Sequence, residues 1–202
     1  MSLRIFTEPT EEPVTLAEAK LHLRIDDTGA SSEGHPDDSL VNLQVMAARD
    51  WAEHFLRRSL VTKTYELSLD EFADEIELPM PPVQSVVSVQ YVDEAGDTQT
   101  LSSLLYSLDK RTEPAYLLPA AGTTWPATAD QVNAVTIRYI AGYSGPAEDP
   151  QDYPLPRSIR AGVLLLLHDL YENRGNSADK TTSEVPLAAE RVMQFYRLGG
   201  GV

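Results

Sequence analysis

The sequence predicts an α+β fold: a helical bundle built from both chain ends with an inserted, mostly antiparallel β-sheet region. Toward the two ends apolar residues recur at steps of three and four, the spacing of a buried helical stripe. Between residues 61 and 141 they alternate instead, the spacing of a half-buried strand. Proline, glycine and acidic residues gather where the period changes, around 28–38 and 145–156. The division these observations imply is a helical module over 1–60 and 150–202 and a β region over 61–149.

Thr15-Leu16-Ala17-Glu18 is a capping box: the Thr15 hydroxyl can accept from the Glu18 backbone N–H while the Glu18 carboxylate reaches back to Thr15. The helix it starts should run to about Leu23, with Leu16, Ala19 and Leu23 on one face. Residues 28–38 have loop composition, and Asp37 or Asp38 can cap the next element. From Ser39 to about Ser59 the stripe Leu40, Leu43, Ala47, Trp51 and Phe55 predicts a long amphipathic helix, with Arg49, Glu53 and Arg57 off it.

Strands follow over 61–69 and 75–78, broken at 79–82 by three prolines, then over 83–92. Asp93-Glu94-Ala95-Gly96 supplies turn chemistry for a hairpin returning through 98–101. Shorter strands are expected over 106–108 and 115–118, and a strong one over 132–141, ended by Gly142. Residues 145–156 carry four prolines and read as a linker. A helix over 155–173 then begins with Pro156 in its first turn, carries Ile159, Val163, Leu166, Leu167 and Leu170, and stops at Gly175. After a polar stretch at 176–184, Pro186 opens a last helix to about Tyr196, with Leu187, Val192 and Phe195 inward, before the tail Gly199-Gly200-Gly201-Val202.

Charge narrows the function. The chain has 31 acidic and 16 basic residues, a formal charge of −15, and no basic run. Displacing condensed counterions from DNA requires clustered Lys and Arg, so tight or specific DNA binding is not expected. An acidic surface repels DNA and suits a conduit through which it slides. Zero cysteines exclude disulfides and thiolate chemistry and fit a reducing cytoplasm. The stretch 1–13 lacks a signal pattern, and the longest apolar run, Val163 to Leu167, is far too short to cross a bilayer, so no membrane partner is expected.

The search for chemistry yields no catalytic, cofactor-binding or metal site. His22, His35, His54 and His168 have no metal spacing, and His168 with Glu172 supplies two ligands where zinc takes three or four. Gly142-Tyr143-Ser144-Gly145 has its second glycine one position early for a nucleophile elbow and reads as a turn. Asp93, Glu94 and Asp97 lack the alternating ligands of a calcium loop. An enzyme is therefore not expected. The rival from another class is a carbohydrate-binding or hydrolytic module using Tyr91, Tyr106, Tyr116, Trp125 and Tyr139 as an aromatic platform, although rings on strands more often belong to the core.

Surfaces for protein partners are the stronger signal. Arg157, Arg160, Arg174, Lys180, Arg191 and Arg197 place much of the scarce positive charge on the C-terminal helical segment. On an acidic chain, opposed patches favour head-to-tail contacts, which can close a ring. Residues 28–38, 176–184 and the Gly-rich tail to Val202 can order on binding.

Short passages in order along nearly the whole chain resemble the phage head-tail connector (adaptor, head-completion) family, in its longer form with an inserted β region. They are Val14-Thr15-Leu16-Ala17-Glu18-Ala19-Lys20 with Leu23-Arg24-Ile25-Asp26, Asp38-Ser39-Leu40 leading to Ala47-Ala48-Arg49, and Leu78-Pro79 with Pro82-Val83 and Ser85-Val86. Val89-Gln90-Tyr91-Val92-Asp93 with Gly96, and Val135-Thr136-Ile137-Arg138-Tyr139 running into Ala141-Gly142-Tyr143, continue the series. It ends with Leu155-Pro156, Ile159-Arg160-Ala161 and Leu170-Tyr171-Glu172-Asn173-Arg174. The loop at 28–38 is longer and more polar than the family pattern. The resemblance implies a structural virion protein, assembled in the host cytoplasm as a dodecameric ring with neighbouring copies of itself on the portal protein. Such a ring closes the DNA-filled head and presents a platform to the next tail or stopper protein, while DNA passes through without specific binding. Another virion joint, a stopper or tail-completion protein, is the nearest alternative. Within this reading the C-terminal helix and tail contact the portal, so deleting 197–202 should abolish docking and spare the fold.

Overall fold

Alternation along Val135–Ala141 puts Val135, Ile137, Tyr139 and Ala141 on one fully buried face and leaves Thr136, Arg138 and Ile140 half-buried on the other. That strand, the eighth in the chain (β8), is the spine of the sheet. In the computed structural model, which describes residues 1–25, 34–144, 154–173 and 187–199, the chain is mixed α+β. It divides into two compact units, Met1–Thr10 with Val61–Tyr153, and Glu11–Leu60 with Pro154–Val202.

The first unit holds β1 (Ser2–Thr7), β2 (Lys63–Leu69), β3 (Ile76–Leu78), β4 (Val83–Val92), β5 (Thr98–Thr100), β6 (Tyr106–Asp109), β7 (Ala115–Pro119) and β8. They form two antiparallel sheets where the sequence suggested one, in the orders β1-β2-β8-β4-β5 and β3-β7-β6. Leu67, Leu78, Leu117, Ile137 and Tyr139 anchor one shared core. The stacked rings of Tyr65 and Tyr139 lie in it, 5.7 Å apart, and the Tyr139 hydroxyl donates to the Pro79 carbonyl at 2.7 Å. Burial, with the neighbouring Tyr65, pushes the Tyr139 pKa well above the phenol range.

β1 has no strong alternation and was not predicted. Its pairing with β2 is supported by a side-chain triad that no local pattern reveals. Arg4 Nε donates to Glu66 Oε1 at 2.7 Å, Arg138 Nε donates to Glu66 Oε2 at 2.7 Å, and the Phe6 ring covers the Arg138 guanidinium at 3.9 Å. Gly142 closes β8 with φ of +118°; a Cβ there would lie 2.0 Å from the Val61 carbonyl oxygen, so only glycine fits.

The second unit holds α1 (Leu16–Leu23), α2 (Asp38–Leu56), α3 (Arg157–Glu172) and α4 (Leu187–Met193), the last followed by a 3₁₀ turn at Gln194–Tyr196. α1 packs on α2 and α3, α2 on α3, and α3 on α4. The Thr15 capping box forms in both directions, at 3.2 Å each way. Asp37 occupies the N-cap of α2 without a side-chain cap bond. It accepts from the Tyr171 hydroxyl at 2.9 Å instead, while Asp38 accepts from the His35 N–H and pairs with Lys20 at 2.8 Å. Gly162 lets α4 approach α3: a Cβ there would meet Met193 Cγ at 2.4 Å.

Three inward assignments are corrected. The buried stripe of α2 is Val41, Val45, Ala48, Ala52 and Leu56, not Leu40, Leu43, Ala47, Trp51 and Phe55. α2 carries two apolar stripes about one residue apart, and the one with smaller side chains lets the neighbouring helices come close, so it wins the core. Arg49 and Glu53 turn inward with it. In α4 the buried residues are Ala189 and Met193, while Leu187 is 54% exposed and Phe195, in the 3₁₀ turn, 86% exposed. Once α4 gives way to the 3₁₀ turn, the 3.6-residue period no longer places Phe195.

Candidate protein-interaction surface

Arg49 lies at the base of α2, nearly sealed from solvent. Its Nε donates to Glu12 at 2.7 Å and its Nη1 contacts Asp50 at 2.9 Å and Glu53 at 3.6 Å. Glu53 in turn accepts from the Leu60 backbone N–H at 2.8 Å. Burial opposes the Arg49 charge, but Glu12, Glu53 and Asp50 outweigh it and raise its pKa. This network ties the segment before α1 and the loop after α2 to one helix turn, and it is structural.

Above it, the outer stripe of α2 faces solvent. Leu43 is 62% exposed and Met46 45%, while Trp51 and Phe55 are half-buried and stack at 5.1 Å with 14° between their planes. The Arg197 guanidinium sits 4.9 Å over Phe55, Leu198 N–H donates to the Leu56 carbonyl at 3.1 Å, and Arg58 donates to the Tyr196 carbonyl. Arg57, in left-handed conformation at the helix C-cap, is exposed beside this cluster. The C-terminal end of α2 therefore presents stacked aromatics flanked by two exposed arginines.

Of the cations expected to act together, Arg157 and Arg191 are exposed on α3 and α4, Arg160 pairs with Glu18 of α1 at 2.5 Å, and Arg197 rests on α2. No contact joins these four into one patch. Arg174, Lys180 and Val202 lie outside the described residues, as do most of loop 28–38 and all of 176–184. Sequence reasoning missed Trp51, Phe55 and Arg57, because it had given the two rings to the core. The signal available was the second apolar stripe on the same helix. Deleting 197–202 would also remove Arg197 and Leu198 from α2, so truncation after Gly199 separates tail from fold more cleanly.

The acidic hairpin uses its oxygens locally: Asp93 accepts from the Ala95 and Asp97 N–H groups at 3.0 Å and from Gln99 at 2.8 Å, which lowers its pKa. His168 meets His22 edge-on at 5.9 Å, and burial, with His168, lowers the His22 pKa. Among the described residues no group of three or more His, Asp or Glu could hold a metal, and no helix is long and apolar enough to cross a membrane. Of the five rings expected in an aromatic platform, Tyr116 on β7 is half-buried. Tyr139 is fully buried, Tyr91, Tyr106 and Trp125 pack against the core, and Trp125 stacks on Phe72 at 4.7 Å.

The C-terminal end of α2 thus brings half-buried rings and exposed cations together. Residues 13–95 match the family described as phage gp6-like head-tail connector protein, so the resemblance seen in the sequence is shown over that span, from the segment before α1 into the hairpin after β4. The whole fold is similar to a chain in the neck of an empty GTA particle computed with C6 symmetry, with a TM-score of 0.76 at 24% identity over 99% of both chains. It is similar also to one in the virion of a native gene transfer agent particle (0.73, 22% identity, 99% of both) and to one in the neck of a native GTA particle computed with C12 symmetry (0.70, 22%, 99% of both). At these identities the likeness is one of fold. No curated protein matches the sequence.

Proposed function

We propose that this chain is a head-tail connector, a structural subunit of the virion neck that assembles with copies of itself into a ring of twelve on the portal protein. The match of residues 13–95 to the connector family carries the reading. In this role the helical unit, Glu11–Leu60 with Pro154–Val202, is the connector body, narrower than the 1–60 and 150–202 expected from the sequence because β1 joins the sheet. The sheet region at 61–149 faces neighbours or the next tail or stopper protein. Arg157, Arg160, Arg174, Lys180, Arg191, Arg197 and Val202 are the candidate contacts to the portal and to neighbouring copies. Assembly takes place in the host cytoplasm. The formal charge of −15 supports a wall that DNA passes without being gripped.

The test is the mass of the purified chain by light scattering, alone and mixed with the portal from the same genome. A ring-sized complex with the portal is expected. A chain that neither oligomerises nor binds the portal at any ratio tested overturns the proposal.

A further inference from the structure

We infer that the aromatic and cationic end of α2 (Trp51, Phe55, Arg57 and Arg197) docks the acidic segment between β2 and β3 of a second copy of this chain; the inference rests on the ring reading above and names its contact. The donor side is built: two stacked rings, one guanidinium on the outer ring and a second arginine at the C-cap. Cation and aromatic side by side suit an anionic, partly apolar strip of chain. Leu43 and Met46 carry the exposed stripe on from the rings, and the one carboxylate on that face, Asp50, is paired with Arg49 at 2.9 Å.

The chain itself supplies a strip of that chemistry. Residues 70–77, the segment after β2 running into the start of β3, read Asp-Glu-Phe-Ala-Asp-Glu-Ile-Glu, and all five carboxylate side chains are exposed. Asp70 accepts from the Asn133 N–H at 2.8 Å. Among the described residues no cation pairs with Glu71, Asp74, Glu75 or Glu77. The unit holding this strip carries sixteen acidic and five basic side chains, a net of −11. Copies of so acidic a chain repel one another unless a cationic patch meets an acidic one. A patch on one unit and its complement on the other give a head-to-tail contact, the kind that closes a ring.

The absence of cysteine makes the contact easy to trap. The full-length Arg57→Cys/Asp74→Cys chain, oxidised at high concentration with and without portal, should give a ladder of disulfide-linked multimers on non-reducing gels. Each single-cysteine chain should stop at dimers. Charge reversal is the second arm. Arg57→Glu/Arg197→Glu and Glu71→Arg/Asp74→Arg/Glu75→Arg should each lower the assembled fraction at least tenfold with little change in melting temperature, and one chain carrying both sets should regain it. A ladder without portal binding keeps this contact and sinks the connector reading. Portal complexes without a ladder, or a doubly reversed chain that folds but stays unassembled, overturn the contact and leave the connector reading standing.

Discussion

In the sheet unit, Met1 and the β1 residue Ile5 apart, the apolar residues left in solvent sit where regular structure is interrupted. Phe6 and Val87 fall at register shifts in β1 and β4, Leu104 and Leu105 in a 3₁₀ turn, and Val132 in the turn before β8. In the helical unit all but one sit on regular helix faces, Leu21 on α1, Leu43 and Met46 on α2, Leu170 on α3 and Leu187 on α4; the exception is Phe195 in the 3₁₀ turn. Charge divides as unevenly, a net of −11 on the sheet unit against fifteen acidic and eleven basic side chains, a net of −4, on the helical one. A bulge exposes a side chain as a by-product of pairing. An in-phase apolar residue on an intact helix has no such excuse, and it marks the helical unit as the one shaped for apolar contacts.

The largest expected effect probes the polar base of the helical unit. Arg49→Ala would take the buried guanidinium out of the network it forms with Glu12 and Glu53, at a cost of about 3–5 kcal/mol. Ile137→Ala, in the sheet core, should cost about 2–5 kcal/mol through the cavity it leaves. Denaturant melts followed by circular dichroism check both. Separate transitions, each moved by one of the substitutions, would make the two units independent in energy as well as in surface. An Arg49→Ala loss below about 1 kcal/mol would mean that water replaces the guanidinium, and the base is not sealed.

The Arg4–Glu66–Arg138 triad sharpens the same contrast through pH. Burial pushes the Glu66 pKa up, but the bonds from Arg138 and Arg4 outweigh it and hold the carboxyl below its ordinary range. A depressed folded-state pKa contributes stability above the unfolded value and loses it as pH falls through the folded one. The sheet should weaken as pH drops below the usual carboxylate range, and Glu66→Gln should flatten that limb while lowering stability at neutral pH. An unchanged acid limb in the variant would remove the triad from the account of β1.

Strands β4 and β8 were legible because two-residue alternation survives wherever one face is dry, and α1 because its cap is written in four consecutive residues. Thr15→Ala should accordingly cost about 1 kcal/mol. The second sheet was not legible, since β3 and β6 are too short for alternation to reveal a pairing partner. β1 depends on Glu66, sixty-two residues away from Arg4. The interaction surface was hidden for a different reason. Periodicity locates an apolar stripe but not which of two adjacent stripes the neighbouring helices cover, and Leu43, Trp51 and Phe55 lost that competition to Val45, Ala52 and Leu56.

The smallest effect on stability is expected on that losing stripe. Leu43→Ser and Met46→Ser replace side chains already 62% and 45% exposed, so the isolated chain should change by no more than about 0.5 kcal/mol. If the stripe serves contacts between copies, the same pair should depress assembly with the portal far more than it depresses the melt. That separation between stability and assembly is what the contrast of the two units demands. Val87→Ser, at the β4 bulge and 54% exposed, is the matched control and should leave assembly at the wild-type level. Equal loss from both substitutions would mean that exposure alone, not an intact helix face, sets the contact, and the contrast between the units would lose its functional meaning.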